Sequence, residues 1–218
     1  MSYPSIPELL VLHAVRLMGF ADIDAIAARA GTEEDATSRV LREADRAGWV
    51  QHLAFADLDG WSLTDTGRIE NERRLAVERT TADPDNLIAA TYRDFLPLNA
   101  RLVRAVSEWQ TKPTDQDPFA PNGHDDPAWD SRVLDELAAL GAELVPLTNR
   151  LSGVLARFDG YSERYDAALH RAANGAHDWI DRTDVDSCHR VWFELHEDLV
   201  ATLGIDRRAR VRGSVDLG

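Results

Sequence analysis

Seven apolar residues in the second half of the chain, Val133, Leu137, Leu140, Leu144, Leu147, Leu151 and Val154, follow one another at alternating spacings of four and three. That spacing places all seven on one stripe of a helix, and a stripe of this length needs apolar partners along it. It predicts a long helix from Ala128 to about Phe158, bent at Gly141 and Pro146, inside a bundle of helices.

The neighbouring segments support a bundle. "DPDNLIAATYRDFLPLNARLVRAVSEWQ" reads as helix with a break or kink at Pro97. "YSERYDAALHRAANG" and "AHDWIDR" read as two shorter helices. "SCHRVWFELHEDLVATL" reads as the last helix, capped by Asp186 and closed by Gly204. Between the first two long helices lies "TKPTDQDPFAPNGHDDP", a turn-rich run with four prolines, long enough for a lid or binding loop. The tail "DRRARVRGSVDLG" lacks periodicity and is expected to be loose.

The first third is organised differently. Pro7 and Gly19 bracket one helix, and Asp22 and Gly31 bracket a second. A third starts at Thr32, where "TEED" approximates a capping box, and ends at Ala47 before Gly48. "WVQHLAFADLDGWSLT" then changes to strand alternation, with a turn at Leu58 to Gly60. The polar helix "TDTGRIENERRLAVERT" follows and links the halves.

"IDAIAARAGTEEDATSRVLREADRAGWV" followed by "WSLTDTGR" resembles the winged-helix transcriptional regulators of the MarR and PadR type. The resemblance covers residues 8–75 and includes an "LTxxGR" motif at Leu63, Thr64, Gly67 and Arg68. It implies a helix-turn-helix with a small β-wing, whose third helix enters the major groove of duplex DNA. Winged helices also serve as protein-docking modules, so the likeness speaks more strongly for fold than for partner.

At about 100° per residue, the third helix turns Ala36, Val40, Ala44 and Ala47 inward, with Leu41 at the edge. Asp35, Ser38, Arg39, Arg42, Asp45 and Arg46 face outward. A hydroxyl and guanidinium groups are what phosphates and guanine edges recruit, so Ser38, Arg39, Arg42, Arg46 and, on the wing, His52 are the candidate DNA-binding residues. Glu33, Glu34 and Asp35 oppose a polyanion, yet each also stabilises a helix N-terminus by about 0.3–1 kcal/mol.

Charge sharpens that conflict. The net charge is −14, and residues 1–80 hold nine arginines against fourteen acids. Neither half of the chain is a basic domain by bulk charge, so DNA affinity is expected from a dimer using two weak half-sites. The chain has one lysine, Lys112, and one cysteine, Cys188, so an intramolecular disulfide is excluded, which suits a reducing cytoplasm. The apolar run "LLVLHAVRLMGFA" is broken by His13 and Arg16 and reads as a core helix, neither a signal peptide nor a membrane span.

In the second half the candidate ligand-binding residues are Trp109, His124, Trp129, His189, Trp192, Phe193 and His196. Cys188, Trp192, Leu195, Leu199 and Leu203 form the inner face of the last helix, with His189, Phe193, His196 and Val200 on its shoulder and Glu194 and Glu197 on the far side. "HRVWFELHE" therefore does not gather its own histidines and glutamates, and a metal site would need acids from elsewhere, such as Asp125 and Asp126 beside His124. No metal and no cofactor are expected. Cys188 is read as a small core thiol, although a helix N-terminus beside His189 could activate it. Phosphate loops, nucleophile elbows and paired zinc-ligand motifs are absent from the sequence, so no enzyme activity is expected.

The expectation is a mainly α protein: a winged helix-turn-helix over residues 1–80, a helical effector and dimerisation bundle over 81–205, and a tail over 206–218. It would be a cytoplasmic, ligand-responsive regulator that binds double-stranded DNA as a homodimer, with a small-molecule effector and no membrane contact. The alternative is an adaptor whose acidic winged helix docks a protein and leaves DNA alone.

Overall fold

A computed structural model describes residues 2–55 and 58–205. Among them are eight α-helices and one two-stranded antiparallel sheet: α1 (Pro7–Met18), α2 (Ile23–Ala30), α3 (Glu34–Arg46), β1 (Val50–Phe55), β2 (Leu58–Leu63), α4 (Asp65–Ala82), α5 (Leu87–Gln110), α6 (Pro127–Val154), α7 (Tyr161–Ala173) and α8 (Cys188–Leu203). The fold is mainly helical, as the periodicity requires. None of the described helices is long and apolar enough to cross a membrane. The tail expected to be loose, 206–218, lies outside the described residues.

The chain divides into two compact units. Residues 3–85 join the C-terminal segment that starts at Glu197, and residues 86–196 form the other unit. In the first unit Leu12, Val15, Ile26, Leu41 and Val50 form the core of α1, α2, α3 and β1. Asp22 caps α2, its carboxylate accepting from the Ala25 amide at 2.8 Å. Gly31, at φ 64°, closes α2 while the Thr32 amide donates back to the Ala27 carbonyl at 3.1 Å. Because Thr32 completes that turn, it does not open the next helix. The expected capping box is therefore replaced: Glu33 is the N-cap of α3, without a side-chain bond, and the Thr32 hydroxyl pairs with that of Thr37 at 2.7 Å.

The hairpin also departs from expectation. Leu58 to Gly60, read as a turn, is strand, in register with Leu53 to Phe55, and residues 56 and 57 lie outside the described set. Gly60 is needed for approach rather than for turning: a Cβ there would lie 2.7 Å from the Phe20 ring and 2.8 Å from the Ala21 carbonyl oxygen. Ala21 and Trp61 exchange backbone hydrogen bonds of 3.2 and 2.8 Å beside it. The "LTxxGR" motif has a comparable cause. The Thr64 hydroxyl accepts from the Gly67 amide at 3.0 Å and reaches the Gly48 carbonyl at 2.7 Å. Gly67 is buried so closely under Trp49 that a Cβ would collide with the Trp49 carbonyl.

In the second unit all seven members of the 4–3 stripe on α6 are buried. α6 stops at Val154, short of Phe158, and a 3-10 turn covers Ala156–Phe158. Helix α5 continues through Pro97. Gly141 makes room for Tyr165, whose ring carbon would lie 3.1 Å from a Cβ, and whose hydroxyl donates to the Leu137 carbonyl at 3.0 Å. "AHDWIDR" is a 3-10 turn at His177–Trp179 rather than a helix. Ser187, not Asp186, caps α8: its hydroxyl accepts from the Arg190 amide at 3.2 Å, while the Asp186 carboxylate takes Arg164 at 2.8 and 2.9 Å.

Candidate nucleic-acid interface and C-terminal side-chain clusters

Helix α3 buries Thr37, Val40, Leu41 and Ala44. The buried stripe is thus centred nearer Leu41 than expected: Ala36 is half-buried, and Ala47 is exposed where the helix ends ahead of Gly48, at φ 73°. The opposite side exposes Arg39, Arg42 and Arg46, with Ser38 half-buried beside them. Arg42 donates to the Ser38 hydroxyl, and Arg46 donates to the Arg42 carbonyl at 3.2 Å. Among the described residues none of these three arginines makes an ion pair, whereas Arg16, Arg73, Arg74, Arg101, Arg132, Arg150, Arg164, Arg182 and Arg190 all meet carboxylates. Glu33, Glu34 and Asp35 are exposed at the start of the same helix. His52 sits on β1, its Nε2 2.5 Å from Asp59 and its ring 4.7 Å from that of Trp61.

The seven candidate ligand residues fall into separate groups. Trp192 is buried, stacked on Phe95 at 5.1 Å, 5.7 Å from the Tyr165 ring, and its indole NH donates to Asn99 at 3.2 Å. His196 is half-buried against Tyr92 (6.1 Å) and Phe95 (5.6 Å). His189 is half-buried, and its backbone amide donates to the Ile180 carbonyl at 2.9 Å. Phe193 is 49% exposed. Glu194, assigned to the far side from helical spacing, is 3% exposed, because Arg164 reaches it from α7 at 2.9 Å and Arg190 from one turn along α8 at 3.6 Å. Trp129 donates to the Glu108 carbonyl at 2.7 Å under the Arg132 guanidinium.

Trp109 and His124 form a second group. Trp109 is buried, with the His124 ring 4.6 Å away. The His177 ring, absent from the sequence-based set, lies 5.3 Å from both. His124 Nδ1 is 3.0 Å from an Asp130 carboxylate oxygen, and the buried Asn122 amide donates to the other at 2.9 Å. The loop that carries them is pinned: the Asn122 amide NH donates to the Gln110 carbonyl at 2.8 Å, and Lys112 pairs with Asp126 at 3.0 Å. No group of three or more His, Cys, Asp or Glu among the described residues is arranged to hold a metal. Open cavities lined by described residues of this unit measure about 290, 390 and 500 Å³; His177, Trp179 and Arg182 line that of about 290 Å³.

Cys188 is buried, with the Tyr165 carbonyl 4.0 Å from its sulfur, and burial pushes its thiol up to about 12. A thiol so held is not a nucleophile at neutral pH.

Compared with known proteins, the chain matches no family model, no curated sequence and no solved structure.

Proposed function

We propose that residues 3–85 form a winged helix-turn-helix that binds duplex DNA, with α3 in the major groove and the β1–β2 hairpin as wing. Arg39, Arg42 and Arg46 carry this reading. They form an exposed row on one helix that no described carboxylate neutralises, whereas nine other described arginines, Arg101 and Arg164 among them, meet carboxylates. Guanidinium groups that meet no carboxylate on one helix face suit bidentate contacts to guanine and to phosphate. Ser38 and His52 supply further contacts to the backbone.

The protein acts in this reading as a homodimeric transcriptional regulator, with residues 86–196 as its effector-responsive and dimer-forming part. An effector would shift the population between DNA-competent and incompetent forms. A second reading, a protein-docking adaptor, is favoured by the net charge of −14 and by the acids opening α3.

Selection of binding sites from a random duplex pool, followed by fluorescence anisotropy, separates the two. A regulator binds with affinity that falls steeply with salt. Arg42→Ala should cost about 1–3 kcal/mol on the selected site, and Glu34→Gln with Asp35→Asn should strengthen non-specific binding. No binding to any duplex at low salt would favour the adaptor.

A further inference from the structure

We propose that His124 and His177 bind a divalent transition-metal ion as a two-imidazole site, the remaining positions being filled by water. The proposal does not depend on the DNA-binding reading.

The His124–Asp130 contact fixes the chemistry of the first ligand. An ionised carboxylate only accepts, so Nδ1 of His124 is the donor in this contact, which leaves Nε2 as the ring's metal-binding nitrogen in the neutral tautomer. Asn122, itself buried and bonded to the Trp109 carbonyl at 3.0 Å, donates to the second oxygen of Asp130 and holds that carboxylate in place. A histidine oriented through one nitrogen by a carboxylate, with that carboxylate held in turn, is the usual support of a metal-binding imidazole. His124 is carried in this place at φ 54°, a left-handed backbone that a non-glycine residue adopts at a cost.

The second ligand lies at a matching distance. An ion about 2.1 Å from one nitrogen of each ring, in tetrahedral geometry, sets the two ring centres about 5.2 Å apart. The His124 and His177 centres are 5.3 Å apart, with their planes at 50°. Trp109 packs against both rings, face-tilted on His124 and edge-on to His177, which limits how each can turn. His177 is exposed on a short 3-10 turn and lines an open cavity, so an ion and its waters can reach it. Imidazole pairs favour Zn²⁺, Ni²⁺ and Cu²⁺ over Mg²⁺ and Ca²⁺. With two protein ligands rather than three or four, the ion is exchangeable, unlike one buried in a closed structural site.

The test titrates Zn²⁺ alone into the full-length protein by calorimetry, with Cu²⁺ quenching of tryptophan fluorescence as a second readout through Trp109. The expected result is one equivalent of Zn²⁺, weakened by at least about ten-fold in His124→Ala and in His177→Ala, and by about 10–100-fold in Asp130→Asn. His170→Ala, which alters an exposed histidine bonded to Asn174, should bind like the parent protein. His177 is exposed, so its variant keeps the native melting temperature and decides the matter even if His124→Ala fails to fold. The proposal is overturned if the parent binds no Zn²⁺, or if natively folded His177→Ala binds as the parent does.

Discussion

Removing one side chain from a buried pair in the first unit gives the sharpest test of how that unit is held. His13 on α1 and Asp198 on α8 stand 3.0 Å apart, nitrogen to oxygen, with side chains 4% and 1% exposed. The Thr202 hydroxyl meets the same Asp198 oxygen at 3.1 Å, and the other ring nitrogen of His13 faces the Asn71 side-chain oxygen at 3.4 Å. Two effects compete. The pair loses hydration in the core, so replacing both members with apolar residues of similar volume need not destabilise. Removing Asp198 alone is different, because a buried imidazole and a buried hydroxyl each lose a partner. Breaking a buried pair from one side costs about 3–5 kcal/mol. At about 2–4 °C per kcal/mol for a chain of this length, Asp198→Ala should lower the melting temperature by on the order of 10 °C. His13→Leu with Asp198→Leu should recover much of that loss. Urea denaturation of both variants, followed by far-UV circular dichroism, measures the difference. A loss below about 1 kcal/mol for Asp198→Ala would refute the claim that this pair locks the C-terminal segment onto α1.

Gly67→Ala should destabilise by about 3 kcal/mol, the upper end of the usual cost of overpacking, in the same assay, since the added methyl meets backbone at Trp49 rather than a movable side chain. Glu70 is held at about 2, first by its hydrogen bond from Arg73 and then by Arg74. A lowered carboxyl pKa stabilises the fold above the unfolded value of 4.5 and loses that stabilisation as pH falls toward 2. Glu70→Gln should therefore lower the melting temperature at pH 7, with the gap to the parent closing between pH 4.5 and 2. Cys188 should resist a thiol-reactive disulfide reagent at neutral pH until denaturant is added; stoichiometric labelling of the native protein would contradict its burial.

Where a segment's pattern repeats, the sequence was enough. The α6 stripe repeats the step of four and three three times over, so each buried position supports the next, and all seven are buried. The positions of α2 and α4 were legible because Asp22, Gly31 and Thr64 act on backbone within three or four residues of themselves. Two of the failures depended on partners distant in sequence. Spacing alone puts Glu194 on the solvent side of α8; Arg164, thirty residues away, brings it inside. Leu58 to Gly60 has turn composition, but Gly60 is there to let Phe20 and Ala21 approach. His13 gave a partial signal, as a polar residue inside an apolar helix needs a partner. That the partner is Asp198, 185 positions on, was not readable. His177 gave none: it sits in a segment read as helix, and nothing local links it to His124.

The acids that open α3 have a consistent physical reading. Glu33 caps the helix without a side-chain bond, and Glu34 and Asp35 occupy its first turn, where the backbone amides favour negative charge. Arg42 and Arg46 lie seven and eleven residues beyond Asp35, or about 10 and 16 Å along the axis at 1.5 Å per residue. Those separations exceed the screening length of about 8 Å at physiological salt, so in the proposed DNA-binding reading the two ends of α3 would act on the polyanion almost independently. At low salt the screening length grows to about 30 Å and the acids are felt by everything the arginines touch. Arg39 is closer, about 6 Å from Asp35 along the axis. Repulsion from the acids should therefore fall chiefly on contacts made by Arg39, and contacts made by Arg46 should be the least affected. Neutralising Glu34 and Asp35 should increase non-specific DNA affinity more at low salt than at high, in excess of the salt dependence of the parent. An equal gain at every salt concentration would mean that the acids act through α3 stability rather than through the field at the arginine row.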